Sequence, residues 1–167
     1  MKALSTKRIS YIVQTFVPAM VACLASATAI LLHFPVWAMF IGWIGFFTKG
    51  MNTQAAIENM TCLWLGLILG YLASLAIYSL VPTQGLMVAL PSVVIVVATL
   101  VISLRGLPIL NNLLCYFLGL VAWFAAHLDP KISSLGILAG SVSLGILAGL
   151  IAHMFTAKIT PYIVNNS

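Results

Sequence analysis

Four long, predominantly apolar runs occupy residues 10–33, 59–80, 86–104 and 133–155. A run of about 20 apolar residues is long enough to cross the hydrocarbon core of a bilayer as a helix. Of the 167 residues 63% are hydrophobic and 5% are charged, so a water-soluble fold would lack the polar cover that its surface needs. Backbone amides have no partner in lipid, and the runs are longer than barrel strands require. The sequence therefore predicts an all-α membrane protein.

Two shorter apolar segments, residues 35–48 and 108–127, lie between these runs, and the second carries Asn111 and Asn112 near its start. The first reaches only about 20 Å as a helix, against a hydrocarbon core of about 30 Å. We therefore expect six transmembrane helices in one membrane domain over residues 1–167, with the second and fifth short or interrupted. The second either spans thinly or is re-entrant. The amino-terminal run leads straight into further apolar sequence, which favours a retained span over a signal peptide.

The seven basic residues predict the orientation, because Lys and Arg near short loops are kept on the cytoplasmic side. With six crossings and a cytoplasmic amino terminus, only Lys131 lies outside, and both termini are cytoplasmic. This topology accounts for the net charge of +5, so no nucleic-acid partner is implied. The six residues expected on the cytoplasmic side are Lys2, Lys7, Arg8, Lys49, Arg105 and Lys158.

The sequence also resembles itself. Pro18 and Pro35 are 17 residues apart, as are Pro91 and Pro108. Residues 40–47 then correspond to 117–124, and residues 65–70 to 144–149, with offsets that grow from 73 to 77 to 79. Two repeats are thus expected, over about 9–81 and 86–157, each with three crossings. An odd number of crossings makes them inverted repeats, a plan of transporters and channels in which the pathway lies between the halves.

Three groups of residues are candidates for a pathway. Glycines at helical spacing either allow close helix packing or line a narrow passage. Aromatic residues at matching positions of the two repeats form either constrictions or an interfacial belt. Asn111 and Asn112 offer donors and acceptors to a neutral solute, or cap helices. The glycines are Gly42, Gly66, Gly70, Gly119, Gly145 and Gly149, and the aromatic residues are Trp43, Phe46, Phe47, Trp123 and Phe124.

Chemical motifs are lacking in the sequence. The two acidic residues, Glu58 and Asp129, fall near predicted helix ends, which disfavours ion-coupled transport because coupling groups are usually carboxylates within a span. No Ser-His-Asp set, phosphate-binding loop or metal-ligand spacing occurs, and the three cysteines have no paired spacing. We therefore expect no enzyme activity, no metal and no cofactor.

The aromatic stretch at residues 35–47, the following Lys49-Gly50 and the glycine patterns at 66–70 and 144–149 resemble the YcdZ-type family of small bacterial inner-membrane proteins of unknown function. The resemblance covers nearly the whole chain. It implies a location in the bacterial inner membrane and supplies no site residues.

The leading functional hypothesis is a passive channel or facilitator for a small uncharged solute, running between the two halves, in a homo-oligomer surrounded by lipid. A non-transporting membrane scaffold or assembly subunit is one alternative. An ion-coupled secondary transporter is the other, with Glu58 as its only acidic group near the central segments.

Overall fold

The computed structural model describes the backbone of residues 2–165 and the side-chain surroundings of residues 9–161. The all-helical prediction is confirmed within this range. Four helical stretches, Ile9–Leu31, Thr53–Gln84, Leu86–Leu104 and Ile132–Pro161, are long and apolar enough to cross a membrane. The side chains of Lys2, Lys7 and Arg8 lie outside the described set. The helices are α1 (Lys2–Leu31), α2 (Val36–Phe46), α3 (Thr53–Gln84), α4 (Leu86–Leu104), α5 (Leu113–Ala125) and α6 (Ile132–Asn165).

The helix α3 begins six residues earlier than the apolar run at 59 because a polar first turn is capped. The Asn52 side chain accepts a hydrogen bond from the Ala55 backbone N–H at 2.8 Å, which satisfies one of the free donors at the helix start. At its other end α3 is separated from α4 by Gly85 alone, whose φ of 73° is readily adopted by glycine. The two helices therefore form a tight antiparallel hairpin.

The helices α2 and α5 are the short ones, with 11 and 13 residues. At 1.5 Å per residue they are about 17 and 20 Å long, well below the thickness of the hydrocarbon core. Pro35 directly precedes α2, and the Asn112 side chain caps α5 by accepting from the Cys115 backbone N–H at 3.3 Å. Residues 108–112, which the sequence placed in the fifth segment, lie before α5.

Each short helix packs along a long one. The helix α2 lies on α6 and α5 lies on α3, while α1 covers α6 and α4 covers α3. Phe34, just before α2, contacts Gly140, and Phe46, at the end of α2, packs on Gly149 further along α6. Because the later of these two aromatic residues contacts the later position in α6, α2 and α6 run in the same direction. The contacts of α2 are limited to the middle part of α6.

Glycines bring the backbones of these paired helices into contact. A Cβ atom on any of four glycines would overlap a backbone carbonyl group of the neighbouring helix, so no larger residue fits at the observed spacing. Such close approach provides packing contacts between helices in lipid, where no hydrophobic effect drives association. The contacts join Gly42 to Val142 and Gly145 to Met39 between α2 and α6, and Gly66 to Tyr116 and Gly119 to Leu63 between α3 and α5.

Large apolar side chains are also abundant on the outside of the bundle. Met87 at the start of α4 is 92% exposed, and Leu31 at the end of α1 is 78% exposed. The most buried side chains lie on the inner helices and include Phe46, Leu67 and Tyr116. An apolar exterior over long helices indicates a bilayer environment rather than water.

Candidate functional site

Four polar side chains meet inside the bundle where α2 ends and α5 begins. They are Thr48, Asn59, Asn112 and Cys115, and we call this group the amide junction. Asn59 is fully buried and Asn112 is 6% exposed. The junction lies about 9 Å along the axis of α3, because Asn59 is six residues after Thr53. Buried amides are expensive unless they are hydrogen-bonded, so their partners define what the junction does.

The two asparagines satisfy the ends of the short helices. Asn59 Nδ2 donates to the carbonyl oxygens of Gly45 at 3.0 Å and Phe46 at 3.3 Å, which have no partner within α2. Asn112 Nδ2 lies 2.7 Å from Asn59 Oδ1 and 2.6 Å from Thr48 Oγ1. The pair therefore connects the last carbonyls of α2 to the first turn of α5.

Thr48 and Cys115 complete the junction. Thr48 Oγ1 donates to the Gly45 carbonyl at 2.8 Å and lies 3.2 Å from Cys115 Sγ. Cys115 Sγ itself lies 3.6 Å from the same carbonyl oxygen. The space between the end of α2 and the start of α5 is thus filled by side chains that bond to one another.

A charged rim borders the amide junction. Lys49 Nζ donates to Glu58 Oε2 at 2.5 Å and to Asn111 Oδ1 at 2.7 Å, while Gln54 Nε2 donates to Glu58 Oε1 at 3.0 Å. The Lys49 side chain is 36% exposed and that of Glu58 is 12% exposed. One ammonium group therefore joins the α2–α3 loop, α3 and the α4–α5 loop. Asn111, a predicted site residue, belongs to this rim, and Asn112 belongs to the junction.

A cavity of about 210 Å³ lies at the opposite end of the bundle. Trp123 Nε1 donates to Ser74 Oγ at 2.7 Å at its wall. Ser74 is fifteen residues after Asn59, which places the cavity about 22 Å from the amide junction along α3. We call it the aromatic cavity, and its lining includes Ser74, Tyr78, Trp123, Phe124, His127 and Asp129.

The predicted aromatic pairs lie at these two ends. Phe46 is buried against Gly149, near the amide junction, and its neighbour Phe47 is 49% exposed. At the cavity end Trp123 and Phe124 repeat this arrangement: Trp123 is buried against Gly70 and Phe124 is 43% exposed.

Trp43 is partly buried, and its ring centroid lies 6.4 Å from that of Phe47. Phe46, on the same helix as Trp43, packs against α6, and its ring centroid lies 6.1 Å from that of His153. The predicted residues thus lie at both ends of the bundle, and the amide junction and the aromatic cavity are separate sites.

Eight residues of these two sites were missing from the predicted set: Thr48, Asn59 and Cys115 in the junction, and Ser74, Tyr78, His127, Leu128 and Asp129 at the cavity. Asn59 had a usable signal, since a buried amide among the apolar residues of α3 requires a partner. Ser74 and Tyr78 are four residues apart and so share one face of α3. Thr48 had none, because a threonine at a helix end is common.

A second cavity of about 210 Å³ between α3, α4 and α5 has a purely apolar lining that includes Ile77, Leu90 and Phe117. Within the described part of the chain, no group of three or more His, Cys, Asp or Glu side chains is arranged to hold a metal ion. Side-chain hydrogen bonds between different helices also join Trp64 to Ser143 and Ser141 to the Pro35 carbonyl, so the polar contacts are not confined to the amide junction, its charged rim and the aromatic cavity.

Comparisons with known proteins identify a family and no function. No curated protein and no solved structure is significantly similar to the chain. Residues 13–157 match a family model described as a protein of unknown function, DUF1097. This match includes the amide junction, its rim and the aromatic cavity. The chain therefore belongs to the DUF1097 family of proteins of unknown function.

Proposed function

We propose that this protein is a gated, passive facilitator for a small uncharged solute in the bacterial inner membrane. One observation carries the proposal: α2 and α5 are too short to cross a bilayer alone, and they meet at a buried cluster of amides. Interrupted helices of this kind form the substrate sites of many transporters, because their free ends present polar groups within the membrane.

The two halves of the chain act as inverted repeats in this proposal. If α1, α2 and α3 are exchanged for α4, α5 and α6, the main packing pairs are reproduced: α2 on α6 becomes α5 on α3, and α1 on α6 becomes α4 on α3. The glycine contacts follow the same exchange. Gly42 at Val142 becomes Gly119 at Leu63, with the offsets of 77 and 79 found in the sequence.

The polar groups of the amide junction favour a neutral solute. Amide and hydroxyl groups both donate and accept hydrogen bonds without carrying charge. Glu58, the acidic residue nearest the junction, is neutralised by Lys49. An ion-coupled mechanism would use Glu58, so Glu58→Gln should abolish flux if coupling operates and preserve it in a passive facilitator.

In this proposal the pathway is closed while α5 lies against α3, and it opens by a movement of α5 relative to α3. Glycine contacts at Gly66 and Gly119 fill the space between these helices. The Tyr116 hydroxyl, which faces the Cys62 thiol, is buried with no well-formed hydrogen bond to the described protein groups. An unpaired buried hydroxyl costs about 1–3 kcal/mol. A second arrangement of α5, or a bound solute, would give it a partner.

The proposed orientation places the amide junction toward the cytoplasm. Lys49 lies beside this junction, and Arg105 ends α4 at the same end of the α3–α4 hairpin. Lys131 directly precedes α6 at the cavity end, where it pairs with Asp129 at 2.9 Å. With basic residues kept inside, both termini are cytoplasmic. We further propose that identical copies associate through the exposed apolar helix faces.

Flux in proteoliposomes tests the facilitator. Purified protein should accelerate the stopped-flow volume change of liposomes in urea or glycerol gradients, relative to protein-free liposomes. Thr48→Val removes the hydroxyl that Asn112 approaches and should change the rate at least several-fold. Thr61→Val is the matched control, because the Thr61 hydroxyl bonds only within α3, to the Ile57 carbonyl. Folded protein that carries neither solute would contradict the proposal.

A scaffold or assembly subunit is the second candidate. It is favoured by the amide junction, in which Asn59 and Asn112 bond to helix ends and to each other. Such a network is complete without a solute. This candidate predicts that a distinct membrane protein co-purifies in fixed proportion, and that Thr48→Val changes stability without any flux to alter.

A further inference from the structure

We infer that the aromatic cavity is a binding site for a small uncharged solute that has hydrogen-bond donors and an apolar face, such as a polyol or an amide. The naming of the solute class rests on the proposed function, whereas the presence of a site rests on the cavity itself. Its volume of about 210 Å³ is below the range of drug-sized pockets, which suits a ligand of a few heavy atoms.

The lining combines aromatic faces with oriented polar groups. Ser74 Oγ accepts the Trp123 indole N–H at 2.7 Å, so its own proton is free to point to a ligand. The Asp129 carboxylate is an acceptor for ligand donors, and the rings of Trp123 and Phe124 offer surface to C–H groups. A polyol or small amide presents both kinds of group at once.

The charge at the cavity favours a neutral ligand over an ion. Asp129 is paired with Lys131 at 2.9 Å, and their side chains are 72% and 68% exposed. The ammonium group of Lys131 lies beside the carboxylate, so the pair adds no net charge at the cavity. An anion, in turn, would meet the Asp129 carboxylate at the cavity wall.

His127 is held at the cavity in a conformation that favours glycine. It follows the end of α5 with a φ of 49°, in the left-handed region, where glycine is the usual residue after a helix. Its side chain lines the cavity. Each ring nitrogen of an imidazole can donate or accept a hydrogen bond, so His127 adds polar groups to the cavity lining. His33 follows α1 with a φ of 56°, and it is not among the residues that line the cavity.

This pair of histidines gives a matched test. In the full-length protein in nanodiscs, Trp37, Trp43 and Trp64 are replaced by Phe, so that Trp123 alone reports. Titration with glycerol or acetamide should give a saturable change in Trp123 fluorescence. His127→Gly should weaken the apparent Kd at least tenfold, and His33→Gly should leave it unchanged. A variant that retains Trp37 as its only indole should show no saturable response.

Three outcomes would overturn the inference: an unsaturable response, equal effects of the two histidine variants, or tighter binding of choline or acetate than of the neutral solutes. If the single-tryptophan protein does not fold, calorimetric titration of the unmodified protein and the two histidine variants makes the same comparison. Saturable binding without flux in liposomes would refute the proposed function and keep the site. Flux without binding would refute the site and keep the function.

Discussion

Replacing Gly66 by alanine should separate α3 from α5. The added Cβ would overlap the Tyr116 carbonyl oxygen and lie 3.0 Å from both the carbonyl carbon and Cα of Tyr116. Normal carbon–carbon contacts are about 3.5–4.0 Å, so α5 would have to move by about 0.5–1 Å. The blocking atoms are backbone atoms, which cannot turn aside as a flexible side chain would.

The magnitude follows from two opposing effects. Overpacking a tight contact costs about 1–3 kcal/mol, and a rigid backbone places Gly66→Ala at the upper end. Alanine recovers about 1 kcal/mol of helix propensity. We therefore expect a net loss of about 2 kcal/mol in the free energy of unfolding. Gly136→Ala in α6 is the control, since a Cβ there meets nothing within 4 Å. It should be neutral or stabilising by up to about 1 kcal/mol.

Equilibrium unfolding in mixed micelles, followed by circular dichroism, measures this difference of about 2–3 kcal/mol between the two variants. The proposed inverted repeats add a second requirement. Gly145→Ala in α6 places its Cβ against the Met39 carbonyl in the same way, so its loss should match that of Gly66→Ala. Equal stability of Gly66→Ala and Gly136→Ala would refute the packing argument. A large loss of stability in Gly66→Ala with no loss in Gly145→Ala would refute the equivalence of the two halves.

Three further predictions concern the amide junction and the orientation. Asn59→Leu should lower the free energy of unfolding by about 2 kcal/mol in the same assay, because the Phe46 carbonyl loses its side-chain donor, while the Gly45 carbonyl and the Asn112 amide keep Thr48 as a partner. With Cys23 and Cys62 replaced by alanine, Cys115 should react with a methanethiosulfonate reagent faster when urea or glycerol is present, if solute opens the junction. An unchanged rate would argue for a permanently closed scaffold. Single cysteines at positions 49 and 105 should be labelled from the same side of the membrane, and labelling from opposite sides would exclude the proposed topology.

The helices were predictable because their signal is local. Long apolar runs predict α1, α3, α4 and α6 directly, since a helix is the form that satisfies its own backbone in lipid. The residues at which the helices begin were less predictable. The helix α3 starts at Thr53 because of the Asn52 cap, and α5 starts at Leu113 because of the Asn112 cap. Both depend on polar residues that hydropathy assigns to loops.

The candidate sites were only partly predictable because they are assembled by pairing. Asn112 was identified by its chemistry, but its main partners, Thr48 and Asn59, are 64 and 53 residues away in the chain. The aromatic cavity depends on the contact between α5 and the second half of α3. No local pattern joins Trp123 to Ser74, which are 49 residues apart.

The amide junction and the glycine contacts have one physical cause, which is the length of α2 and α5. A helix that ends within the bundle leaves carbonyl and N–H groups without intrahelical partners, and lipid offers none. Asn59 donates to the Phe46 carbonyl and joins Thr48 in donating to the Gly45 carbonyl. These bonds form where Gly42 lets α2 lie directly against α6 and Gly119 lets α5 lie directly against α3. Enlarging either glycine should therefore weaken the distant amide bonds as well as the local packing. Double variants that combine Gly119→Ala with Asn59→Leu should then lose less stability than the sum of the single changes.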